Sequence, residues 1–112
     1  MRRMSFALTT EQVLDKTKTV TRRNGWKFLM PGDLIQPIEK GMGLQKGEKQ
    51  KLLGSPIRVV SISVQRLHQM TDSDCILQGF PEMSAEEFIE MYCQANKCDR
   101  NQQVQRIEFE YV

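Results

Sequence analysis

The chain has 112 residues, 39% of them hydrophobic and 27% charged, which is enough for one domain with a hydrophobic core and too little for two ordinary domains. That balance excludes a disordered chain, and no run approaches the ~18 apolar residues of a membrane-spanning helix. The net charge of +2 hides an asymmetry: residues 1–54 carry eleven Lys or Arg against five Asp or Glu, and residues 55–112 carry five against nine, so a basic face is compatible with the modest total.

The start, Met1 to Leu8, is basic, but its apolar stretch is shorter than a signal peptide requires. The cysteines are Cys75, Cys93 and Cys98, an odd number, which predicts reduced thiols and a cytoplasmic setting. His68 is the only histidine, and no spacing matches a zinc site. No metal and no cofactor are therefore expected, and a membrane partner is not. The oligomeric state is not legible.

In chain order, Ser5 to Leu8 reads as a short opening strand. Thr9 to about Lys16 reads as a helix, with Thr9 and Gln12 spaced as a capping box. Lys18 to Arg23 is rich in β-branched residues and reads as a strand or extended loop. Asn24-Gly25 and Pro31-Gly32-Asp33 mark turns. Leu34 to Glu39 resumes a strand, where Pro37 suggests an edge or bulge. Gly41 to Gly54 holds four of the seven glycines and the cations Lys46, Lys49 and Lys51; it reads as a mobile, basic loop.

Ile57 to Val64 alternates as a strand, with Ile57, Val59, Ser61 and Ser63 on one face. Thr71 caps a short helix through about Leu77, and Gly79-Phe80-Pro81 stops it. Ser84, with Glu87 three residues on, opens another helix. Its residues Ala85, Phe88, Ile89 and Tyr92 have the spacing of a buried stripe. Val104 to Val112 alternates Ile107, Phe109 and Tyr111 with Arg106, Glu108 and Glu110, as a closing strand. The order β-α-β-β-β-α-α-β lacks the regular alternation of a Rossmann sheet. A small mixed or antiparallel barrel with helices at its ends is the natural packing.

The block KTVTRR…W…PGD (Lys18 to Asp33), the strand Ile57 to Val64, QGFP (Gln78 to Pro81), EEFIEMY (Glu86 to Tyr92) and the closing VQRIEFEYV together resemble the ASCH domain, of the PUA-like superfamily. The resemblance runs in order over nearly the whole chain. It implies one α+β domain over residues 1–112, a PUA-like small mixed β-barrel with two to three short helices and a cleft beside it. In relatives that cleft binds RNA or nucleotides, some relatives are amidohydrolases that deacetylate 4-acetylcytidine, and one is reported to be a ribonuclease. Fold alone does not choose among these.

The amidohydrolase pattern maps a lysine and a threonine three residues later onto Lys18 and Thr21, as base and nucleophile. The glutamate of that pattern falls on Gln78, which cannot move a proton as a carboxylate does. Asp74 or Glu82 is the alternative source of a carboxylate. Residues three apart in a regular strand face opposite ways. Lys18 and Thr21 therefore converge only if the segment bends or Lys18 lies in the preceding turn.

Arg22 suits a phosphate or carboxylate; equally, Arg22 and Arg23 suit internal salt bridges with Glu108 or Glu110. Trp26 suits base stacking or, as the bland alternative, plugs one end of the barrel. Lys27, with Lys46, Lys49 and Lys51, would touch phosphates as a basic rim or simply be solvated. The resulting expectation is a ligand site of Lys18, Thr21, Arg22, Gln78, Trp26 and Lys27. Its partner would be RNA, a single-stranded nucleic acid or a nucleoside-like small molecule.

Overall fold

The β-branched and alternating segments pair as five strands: β1 (Arg2–Ser5), β2 (Val20–Arg23), β3 (Leu34–Ile38), β4 (Ile57–Arg66) and β5 (Gln103–Tyr111). The structure, a computed structural model, describes residues 1–112. The strands form one mixed sheet in the order β1-β3-β4-β5-β2, with β1 parallel to β3 and the other pairs antiparallel. Three helices complete the α+β fold: α1 (Thr10–Leu14), α2 (Asp72–Gln78) and α3 (Ala85–Asn96). No helix is long and apolar enough to cross a membrane.

Local chemistry explains most boundaries. The Thr71 hydroxyl accepts from Asp74 N at the start of α2, and Ser84 and Glu87 form the expected reciprocal capping box on α3. Phe88, Ile89 and Tyr92 are the buried stripe of α3. Gly79 ends α2 in the left-handed region at φ 102°.

A Cβ at Gly79 would lie 3.3 Å from both Cβ and Cγ of Gln12. Gly79→Ala therefore combines backbone strain with crowding and should lower stability by about 1–2 kcal/mol. A chemical-denaturation midpoint equal to the wild type would refute this.

Several expectations need correction. The opening strand lies earlier, at Arg2–Ser5, because Ala7–Thr9 turn into a 3-10 helix. The capping box at Thr9 does not form; Gln12 Nε2 instead donates to Gly79 O at 3.0 Å and ties α1 to the end of α2. β3 is not an edge strand. Pro37 lies beside Met4 of β1, and its carbonyl accepts from Leu53 N, a bond that does not need the missing N–H. The segment Gly41–Gly54 is likewise not all loop: Leu52 bridges Ile38, and Leu53 is buried in the core.

The simple alternation of β4 also breaks. A bulge between Val59 and Ser61 moves the inward parity from Ile57 and Val59 to Ile62, which lies opposite Ile107. Val60 and Val64 are left exposed, and Ser61 faces Glu108.

The two edge strands, β1 and β2, are joined by side chains rather than by a backbone ladder. Arg23 of β2 donates from Nη2 to Ser5 O of β1 at 2.6 Å, and its guanidinium lies 4.9 Å from the Phe6 ring centre. Two hydrophobic cores result. One holds Phe6, Ile35, Val59, Ile107 and Phe109 against the sheet; the other holds Leu67, Cys75, Phe88, Tyr92 and Val104 under α2 and α3.

Candidate functional site

A cavity of about 350 Å³ opens in the seam between the two cores. Phe6 comes from the first core, and Phe88 and Tyr92 from the second. Trp26 and Phe80 complete an aromatic wall. Lys18, Thr21, Arg22, Arg23 and Gln78 supply the polar wall. No Asp or Glu lines this cavity, so the three basic side chains share it without an acid among the lining residues.

Lys18 answers the geometric difficulty posed by its spacing from Thr21. It precedes β2 instead of lying in it, after a turn in which Lys16 takes a positive φ of 64°. Its carbonyl accepts from the Tyr111 hydroxyl at 2.6 Å, and Thr19 N donates to Leu77 O. These bonds hold the segment between β5 and α2 and turn the lysine side chain inward. The residue is only 2% exposed, and Nζ donates to Gln78 O at 2.5 Å. No carboxylate pairs with it. Burial, and then the charges of Arg23 and Arg22, hold its pKa well below the ordinary lysine range.

Thr21 is buried on β2 opposite Ile107, and its hydroxyl oxygen accepts from Arg23 Nε at 3.1 Å. Burial lowers the pKa of Arg23 to about 10. Arg22 points toward α2. Its Nη2 donates to Asp74 Oδ2 at 2.6 Å and to Gln65 Oε1 at 3.0 Å, and its Nη1 donates to Gln78 Oε1 at 3.3 Å. The Arg22 Nε is buried without a partner.

The internal ion pair of Arg22 is thus real, but its partner is neither Glu108 nor Glu110. Register explains why. Arg58 lies opposite Glu110 and pairs with it, while Arg106 approaches Glu108 and also grips Asp74 through Nε and Nη2. Arg23 has no acidic partner at all; it is held by Ser5 O, Thr21 and the face of Phe6.

Asp74 therefore stands behind the cavity wall with both oxygens engaged. The Arg106 hydrogen bond, opposed by partial burial and reinforced by Arg22, lowers its pKa to about 2. It orients Arg22 and is not placed to move a proton inside the cavity. Glu82, the other candidate carboxylate, is exposed and lines a different cleft.

Of the residues singled out in the sequence, Lys18, Thr21, Arg22, Gln78 and Trp26 all line this one cavity. Trp26 combines both expectations: it is half-buried against the first core and forms part of the wall. Lys27 is exposed and does not line the cavity. Neither do Lys46, Lys49 and Lys51: Lys51 turns to Glu39, and Lys46 and Lys49 are exposed.

The sequence reading missed Arg23 and Tyr92 as wall residues. The Tyr92 hydroxyl donates to Asn24 Oδ1 at 2.7 Å, beside the cavity. Helical spacing marked Tyr92 as core and carried no signal that its tip reaches a cleft. No group of three His, Cys, Asp or Glu side chains is arranged to hold a metal ion.

No family model matches the chain, and no curated protein matches it. Solved structures do. The ASCH domain from Lactobacillus crispatus JV V101 superposes with a TM-score of 0.67 at 12% identity, over 98% of this chain and 78% of that one. Protein EF3133 from Enterococcus faecalis V583, of family-model DUF984, gives 0.65 at 12% identity, over 100% and 76%. The hypothetical protein PH0355 gives 0.64 at 20% identity, over 99% and 96%. At these identities the likeness establishes a shared fold, and sequence similarity adds nothing to it.

Proposed function

We propose that this chain, an ASCH-type domain of PUA-like fold, binds a nucleotide, free or as one unit of a single-stranded RNA. The observation that carries the reading is a single cavity in which Lys18, Arg22 and Arg23 face aromatic side chains with no acid among the lining residues. Cations without acids suit phosphate or other oxygen-rich groups. The half-exposed Trp26 and the ring of Phe80 offer faces on which a base can stack. A cavity of about 350 Å³ lies within the size range of small-ligand sites.

Trp26 is the only tryptophan, so its fluorescence reports on the site. Titration with short single-stranded RNA and with nucleoside monophosphates should quench it saturably. The logarithm of affinity should fall with the logarithm of salt with a slope of roughly −1 to −2, as expected for two or three cations on phosphate. No quenching by either ligand would overturn the reading, and a flat salt series would remove phosphate pairing from it.

One observation favours a second reading. A lysine with a depressed pKa lines the same cavity as a threonine hydroxyl, the pairing a threonine nucleophile needs. Lys18 and Thr21 would then hydrolyse an acylated pyrimidine nucleoside such as 4-acetylcytidine. Gln78 and the engaged Asp74 leave that chemistry without a free carboxylate. No acetate release at high protein concentration would dismiss it. Ribonuclease action at this cleft is tested by RNA cleavage in chelator with a Lys18→Ala control.

A further inference from the structure

We propose that Gln78 makes this site selective for bases with a keto group at pyrimidine C4 or purine C6, uracil or guanine, over cytosine and adenine, which carry an amino group there. The inference rests on the nucleotide-binding reading and names the class of base. Gln78 is the last residue of α2 and is only 4% exposed, with its side chain on the cavity wall. Its Oε1 accepts from Arg22 Nη1 at 3.3 Å. Arginine has only donors to offer. Turning the amide over would set an NH2 group against a guanidinium, so the contact fixes which end of the amide faces Arg22.

The orientation of Arg22 is itself enforced. Its other contacts are to the Asp74 carboxylate and Gln65 Oε1, and Asp74 is clamped by Arg106. The free end of Gln78 is therefore Nε2. It has no partner within the protein, yet it is not sealed off, since Arg22 Nε is the sole buried side-chain polar atom left both enclosed and unpaired. A largely buried side chain thus presents an unused pair of N–H donors to the cavity.

Arg22, Arg23 and Thr21, on the same wall, have the same sense. The Arg22 and Arg23 guanidiniums carry only donors, and the Thr21 oxygen already accepts from Arg23 while its hydrogen remains available. A base that turns a carbonyl oxygen at pyrimidine C4 or purine C6 toward Nε2 completes this set. Uracil O4 and guanine O6 are acceptors where cytosine N4 and adenine N6 are donors. An amino group facing Nε2 would leave two donors in contact and unpaired, which is the arrangement that sites reject most strongly.

The test compares UMP with CMP, near-isosteric ligands, by Trp26 fluorescence, together with U6 and C6 oligonucleotides. The expected result is tighter binding of the uracil ligand by about tenfold or more. GMP over AMP should show the same sign. Gln78→Glu replaces the donor by an acceptor while keeping the Arg22 contact, and should reverse or abolish the ratio even if it weakens both ligands. Equal affinities in the wild type, or a preference for the amino base, would overturn the selectivity and leave nucleotide binding standing. Unchanged selectivity in Gln78→Glu would overturn the role of Gln78. If that variant does not fold, as judged by circular dichroism, the wild-type ratios decide alone. Absence of binding by every nucleotide and oligonucleotide would remove the underlying reading, and this inference with it.

Discussion

Replacing Asp74 by alanine should lower the unfolding free energy by about 3 kcal/mol. The reason is asymmetric burial. Asp74 keeps 17% of its side-chain exposure, whereas Arg22 keeps 1%. Removing the acid leaves Arg22 with only Gln65 and Gln78, and its Nε already has no partner. Breaking a buried pair from one side costs more than the pair contributes, because the remaining charge stays desolvated. Arg106 suffers less, since Glu108 remains 3.8 Å away. In a domain of this size the loss corresponds to a thermal midpoint lower by roughly 10 °C or more.

The same acid sets a pH dependence with a definite sign. Its folded pKa of about 2 lies below the ordinary 3.8. Its contribution is therefore fully present above pH 3.8 and is lost as pH falls through about 2. Denaturation curves measured from pH 5 downward should show wild-type stability falling in that window, with a shallower fall in Asp74→Ala. Parallel acid profiles for the two proteins would show that Asp74 is not the group responsible. The ligand site should loosen as well, because Arg22 and the Gln78 amide are both oriented through this acid.

Lys18→Met is expected to act in the opposite sense on stability and to weaken binding. Lys18 is buried with one hydrogen bond, to Gln78 O, and two neighbouring guanidiniums. A buried charge without an acid opposes folding, so an apolar side chain of similar length should leave stability equal or raise it by about 1 kcal/mol. Nucleotide affinity should fall by about 100-fold if the ammonium or amine touches the ligand.

Here the linkage runs upward with pH. The folded pKa lies below the unfolded one, so the unfolded chain binds more protons and stability rises with pH between the two values. That rise should be absent in Lys18→Met. A variant that is several kcal/mol less stable would show that the lysine supports the fold rather than the site. This opposition of stability and binding is typical of functional groups retained against a folding cost.

Local signals carried the reading of the elements. The Ser84–Glu87 capping box, the Thr71 cap, the Gly79 stop and the Phe88, Ile89 and Tyr92 stripe depend on residues three or four apart, and each stands as expected. Where a local signal met a long-range competitor, it failed. Thr9 and Gln12 have capping-box spacing, but Gln12 gains a bond to Gly79 O, 67 residues away. Leu53 lies in a glycine- and lysine-rich stretch, yet it has a core to enter. The β4 bulge is set by pairing with β5, which no alternation in β4 alone announces.

The site divides the same way. The KTVTRR and QGFP blocks single out Lys18, Thr21, Arg22 and Gln78 through the resemblance they carry, and the fold places all four on the wall of one cavity. Sequence by itself determined the element order, the caps of α2 and α3 and the charge excess of the first half, because these follow from neighbours along the chain. Only the tertiary structure decided that the acid beside Arg22 is Asp74, 52 residues away, that Arg23 and Tyr92 reach the cavity, and that the lysines of the Gly41–Gly54 stretch do not. The physical reason is desolvation. A charge acquires its partner, its pKa and its role from the surfaces that close around it, and those surfaces belong to strands and helices distant in sequence.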